Sequence, residues 1–88
     1  MDLRICILDR GWVMVGNFKK DGSTGDCTLE NAYVIRKWGT TKGLGELAQD
    51  GPTKETILEP CNGVVQFAWT NVIATIACSK KGWKEYVS

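Results

Sequence analysis

Between Arg36 and Thr53 the chain gathers the residue types that hold a phosphate. There are three cations (Arg36, Lys37 and Lys42), two hydroxyls (Thr40 and Thr41), one indole (Trp38), and glycines at 39, 43 and 45. Glycine lets backbone approach a ligand closely, hydroxyls and backbone N–H groups donate hydrogen bonds, and guanidinium or ammonium groups neutralise charge. Leu44, Leu47 and Ala48 follow at i, i+3 and i+4, one face of a short helix. Thr40 or Thr41 is placed to cap it, and Gly51-Pro52 to stop it. The order of the glycines, G-x-x-x-G-x-G, fits neither the dinucleotide fingerprint nor the phosphate loop of nucleotide hydrolases, because Lys42 precedes its glycine. The chemistry indicated is capture of a phosphate-bearing ligand by Arg36, Lys37, Trp38, Thr40, Thr41, Lys42 and Gly43. The same residues also suit a plainer role, with Leu44, Leu47 and Ala48 plugging a small barrel, Trp38 in its core and the lysines solvated.

A second cluster, Lys80-Lys81-Gly82-Trp83-Lys84-Glu85-Tyr86, interleaves cations with aromatics as single-strand nucleic-acid surfaces do. It equally describes a solvated edge whose Trp and Tyr pack on the barrel or on a neighbouring subunit. Trp12 and Trp69 read as core or interface residues. Four tryptophans in 88 residues are more than the core of one subunit easily hides.

Covalent and acid–base chemistry has little support. The chain contains no histidine, and Asp9, Asp21, Asp26, Glu46, Asp50 and Glu55 fall mostly in turns, with no pairing set by spacing. Cys6, Cys27, Cys61 and Cys78 are too dispersed for a zinc motif, and Cys6 and Cys78 sit in apolar strands where cysteine packs as a small hydrophobe. The expectation is reduced, buried thiols, no metal, no cofactor and no enzyme activity.

Length sets one domain with a thin core, residues 1–88, so help from oligomerisation is expected. Eleven Lys and Arg against ten Asp and Glu leave a net charge of +1, which argues against a general nucleic-acid binder. No apolar run approaches the ~20 residues of a membrane span, and Met1-Asp2-Leu3-Arg4 does not read as a signal peptide. A cytoplasmic protein is expected.

The elements that must position these residues are strands. Residues 3–8, 12–18, 27–38, 56–59, 64–69 and 71–78 are short, β-branched or aromatic runs separated by turn residues. Gly16 predicts a bulge or bend, and the third strand is interrupted near Asn31. The prediction is an all-β small barrel of SH3/Sm-like type with five to six strands and one short helix. Residues 36–53 are an inserted loop and helix, and 79–88 a polar, aromatic tail that adds an edge strand or stays mobile.

Val15-Gly16, the hairpin after it and Leu29-Glu30-Asn31-Ala32-Tyr33-Val34-Ile35 resemble the bent strands of Sm-like barrels. Val72-Ile73-Ala74-Thr75-Ile76 is similar to that fold's closing strand, which pairs between subunits and builds rings. The resemblance implies an oligomer and, as one reading, an RNA-binding ring using Lys80, Lys81, Trp83 and Lys84. The chain departs from the pattern at the Trp-Gly-Thr-Thr element, and the Arg-Gly pair used against RNA bases is absent near Ala77-Cys78-Ser79. Val34 to Gly45 also fits a Val-Ile-Arg-x-Trp-Gly-Thr-Thr-x-Gly-Leu-Gly stretch and so resembles a family of small phage and prophage proteins without assigned function. That resemblance implies a viral origin and a bacterial host. The leading expectation is an oligomeric sponge that sequesters a nucleotide signal of host immunity. A protein-interaction or virion-structural module without a small ligand is the remaining reading.

Overall fold

A computed structural model describes residues 2–86. Six strands, β1 (Leu3–Leu8), β2 (Val13–Lys20), β3 (Asp26–Lys37), β4 (Ile57–Pro60), β5 (Val65–Ala68) and β6 (Val72–Ala77), and one helix, α1 (Leu44–Asp50), form the domain. Short 3-10 turns at Asp9–Gly11 and Trp69–Asn71 connect β1 to β2 and β5 to β6. All pairings are antiparallel, in the order β4-β3-β2-β1-β6, with β5 also on β3. This is the small all-β fold with one short helix that the strand pattern predicts.

The long third strand organises the sheet. One of its edges carries β2, while the other carries β4 along its C-terminal half and β5 along its N-terminal half. β4 and β5 are thus one strand broken at Asn62, whose φ of 58° turns the chain. On the facing side Asn31, with φ 52°, marks a register shift against β2 between Val15 and Asn17. Gly16 stands inside that shift, and a side chain there would press on Glu30 O, Ala32 Cα and Leu29 Cβ at 3.1–3.2 Å. The bend expected at Gly16 and the interruption expected near Asn31 are therefore one bulge.

Alternation within the strands sends apolar side chains to both faces. Leu3, Ile5, Val15 and Ile35 pack with Leu47 and Ala48 of α1 and with Trp83. Cys6, Leu8, Met14, Leu29, Ala32 and Val34 form a second cluster, bordered by Phe18, Val65, Phe67 and Val72. Leu47 and Ala48 are wholly buried, so the helix covers the sheet as the plainer reading of its spacing expects. Trp38 does not join it. The indole in the core is Trp83, with no exposed surface, and its Nε1–H donates to the carbonyls of Leu47 and Ala48 at 3.0 and 3.1 Å. Residues 80–86 make turns, not the edge strand considered for the tail, and residues 87–88 lie outside the described residues.

The four thiols are free, and Cys6 and Cys27 are buried. Burial pushes Cys6 and Cys78 up to about 12 from an ordinary 9.0, with the Cys27 sulfur adding to the effect on Cys6. Each thiol stays neutral in the folded chain while it ionises near pH 9 in the unfolded one. Its contribution to stability is complete below pH 9 and lost as the pH rises towards 12. The urea midpoint is expected to hold between pH 7 and 9 and to fall above it. Replacing Cys6 and Cys78 together by alanine should flatten that fall relative to the parent.

Candidate functional site

The segment from Arg36 to Gly43 leaves the end of β3 and enters α1. The β3–β4 register shifts between Ile35 and Lys37, with Arg36 at the irregularity, and the two cations take different partners. Arg36 Nη2 meets Glu59 Oε1 of β4 at 2.7 Å, and Lys37 Nζ lies 3.7 Å from Glu55 Oε2. All four side chains are more than half exposed, and such pairs contribute about 0–1 kcal/mol. They orient the cations without locking them.

The hydroxyls are committed locally. Thr40 Oγ1 donates to Gly43 O at 2.8 Å. Thr41 donates from its backbone N and from Oγ1 to the two carboxylate oxygens of Glu46, both at 3.2 Å. Glu46 stands in the first turn of α1, where a negative charge is favoured by the helix dipole. Neither threonine caps the helix, since the N-cap is Gly43, with φ 87° and no side-chain hydrogen bond.

Two residues without a role in the sequence reading hold this loop. Thr53 Oγ1 donates to Gly39 O at 2.7 Å and Thr56 Oγ1 to Trp38 O at 2.6 Å. Gly39, at φ 69°, fits against that second strand of the loop so closely that a Cβ would come within 2.4 Å of Thr56 N. A threonine pair flanking Lys54-Glu55 was the available signal, because such hydroxyls favour turns. Their partners depend on the loop folding back.

The structure thus brings Trp38 near Gly43, at 3.8 Å from the position of a Cβ there, and leaves the indole 43% exposed. Lys42 is exposed and has no partner among the described residues. Arg36 and Lys37 are each paired with a different carboxylate, Glu59 and Glu55. The site residues named from sequence form a folded, internally bonded loop with one open indole and one open ammonium group.

The C-terminal cluster separates in the same way. Trp83 is core and cannot stack on a base, whereas Lys80, Lys81 and Lys84 are exposed. Tyr86 meets Trp83 and Tyr33 edge-on at 5.6 and 5.4 Å. Lys54, Lys81 and Lys84 border a hollow of about 350 Å³ that also has Glu85 on its rim.

Elsewhere the surface carries exposed apolar side chains. Trp12, Trp38, Ile57, Val64, Trp69 and Ile73 are large side chains open to solvent. Trp69 is partly covered by Phe18 and by Lys20, whose Nζ stands 4.3 Å from the indole centroid. Among the described residues no three His, Cys, Asp or Glu side chains are placed to share a metal ion, and no helix is long and apolar enough to cross a membrane.

No family model and no curated protein matches the chain. The resemblances to Sm-like barrels and to small phage proteins rest on the residues quoted for them.

Proposed function

We propose that this protein is a non-enzymatic binding protein that works as an oligomer, its subunits joined through sheet edges, and that its ligand is a small phosphate-bearing molecule. The observation that carries the reading is the uncovered apolar edge of β6, with exposed apolar side chains at the opposite edge as well. β6 reads Val-Ile-Ala-Thr-Ile-Ala, without a charge or a proline, and exposes 69% of Ile73. The opposite edge is β4 and β5, where Ile57 and, just before β5, Val64 are more than half exposed beside Glu59 and Pro60. No ladder joins the two edges among the described residues. Unprotected edges present rows of N–H and C=O groups, and their natural complement is another strand. One chain owns both halves of such a contact, so pairing β6 of one copy with β4–β5 of the next builds a head-to-tail assembly, a ring where the rotation between copies closes.

Capture without transformation is supported by the chemistry present. The thiols are held neutral by burial, and the chain has no histidine to activate a nucleophile. A nucleotide is the ligand class we favour, because the exposed Trp12 indole and the exposed Arg10 and Arg36 line one hollow. Sequestration of a host signal by a phage-encoded sponge is the physiological form of this reading.

Assembly is tested by light scattering and native mass spectrometry. The parent chain is expected well above its 9.7 kDa subunit mass, and Ile73→Lys at that mass with an unchanged circular dichroism spectrum. A parent protein that runs as a 9.7 kDa monomer at micromolar concentration would remove the oligomer from the reading.

A further inference from the structure

We infer that the phosphate-bearing ligand is held not in the Trp38–Gly43 loop but in a hollow between the β1–β2 turn and the end of β3, with Arg10, Trp12 and Arg36 as its contacts. This rests on the reading that the protein captures a nucleotide, and it assigns that nucleotide a place.

The hollow has a volume of about 320 Å³, at the small end of ligand pockets, and Val13 and Ile35 contribute to its lining. Its geometry follows from strand register. Met14 lies opposite Val34 at the end of the β2–β3 ladder, and beyond that pair Trp12, Val13, Ile35 and Arg36 line the hollow. The indole and the guanidinium therefore border the same hollow. Trp12 is 49% exposed, more than any other tryptophan.

Arg10 supplies the second guanidinium. It adopts φ 61°, a conformation that costs an arginine energy and that glycine would take freely. Gly11 follows at φ 81°, and Leu8 N–H donates to Trp12 O at 2.8 Å, closing the turn on which both side chains stand. Arg10 has no ion-pair partner among the described residues. Arg36 uses Nη2 on Glu59 and keeps its remaining N–H donors for another acceptor. Glu59 therefore orients the group, and it also sets a negative charge nearby. Asp9 precedes Arg10 in the same turn and adds a further negative charge to it.

Two guanidiniums beside one open indole recognise a planar base carrying phosphate. Arginine grips phosphate oxygens in pairs, and the indole face takes the base. The size of the hollow favours one base with its phosphates over a run of a strand.

Calorimetry with AMP, ADP and a linear diadenylate, with adenosine, inorganic phosphate and a ten-nucleotide RNA alongside, tests the assignment. At least one of the three small nucleotides is expected to bind, and adenosine and phosphate about tenfold or more weaker. Arg10→Gly is expected to fold at least as well as the parent and to lose about tenfold in affinity. Trp12→Ala is expected to lose a similar factor and Trp12→Phe to recover part of it. Lys42→Ala with Trp38→Ala should leave affinity unchanged.

If a nucleotide binds but only the Lys42 and Trp38 changes weaken it, this placement fails while capture of a nucleotide stands. Binding of the RNA alone overturns the mononucleotide and moves the protein to single-strand recognition. Binding of none of the probes ends both readings.

Discussion

Trp83→Ala is expected to cost about 3–5 kcal/mol, a large part of the stability of a domain this small. The side chain is the largest of those fully buried, it joins α1 to strands β1, β2 and β3, and its N–H is shared between two helix carbonyls. Truncation leaves a cavity and removes the donor to both oxygens. For a domain of this length the loss corresponds to a fall in melting temperature of roughly 15–30 °C. Thermal unfolding followed by circular dichroism measures it. Trp38→Ala, at an exposed site, is the comparison and should change stability by about 0.5 kcal/mol or less. Equal effects at the two positions would show that the C-terminal turn does not cover the sheet.

The second large effect belongs to a pair of glycines. Gly51, at φ 83°, ends α1, its N–H donating to Leu47 O at 2.9 Å. Gly82 lies directly against it. A Cβ on Gly51 would sit 1.8 Å from Gly82 O, and one on Gly82 would sit 2.6 Å from both Asp50 C and Gln49 O. Backbone cannot yield to such overlaps as a flexible side chain does. Ser79 fastens the same place, its Oγ donating to Gln49 O and its N–H to Ala48 O.

Gly51→Ala combines left-handed strain with expulsion of the C-terminal turn, so a loss of about 3 kcal/mol or more is expected. Gly82→Ala should lose nearly as much through overlap alone. Gly45→Ala, in the helix with nothing within 4 Å of the new methyl, should instead gain about 0.5–1 kcal/mol. Urea titration of the three variants reads the contrast. A Gly51→Ala protein as stable as the parent would contradict the close approach.

These two results bear on what the sequence could reveal. The strands were legible because β-branched and aromatic runs such as Ile5 to Leu8 and Val72 to Ile76 alternate between turn residues, and alternation is a local signal. Even the bulge announced itself through Gly16 and Asn31. The identity of the buried indole was not legible. Trp83 stands among Lys80, Lys81, Lys84 and Glu85, a polar setting that suggests a surface. Its burial depends on Gly51 and Gly82 meeting across thirty residues of chain, and nothing short-range encodes that meeting.

The candidate site shows the same division. Arg36 and Lys37 were visible as cations, but their carboxylate partners, Glu59 and Glu55, come from the far side of the loop. Thr40 and Thr41 look available in sequence and are occupied in the fold by Gly43 O and Glu46. The neighbourhood of Trp12 and Arg36 appears only once the strands are folded around their common hollow. Composition names the reagents, and register decides which of them meet.

The first strand waits for the last. Arg4 lies opposite Ala77 and Ile5 opposite Ile76, so one flank of β1 finds no hydrogen-bonding partner until nearly the whole domain has left the ribosome. Pairings of such long sequence separation form slowly, on a scale of milliseconds to seconds. During synthesis the hairpin of β2 and β3 stands ready while β1 remains half satisfied, a period in which a neighbouring nascent chain is a competing mate.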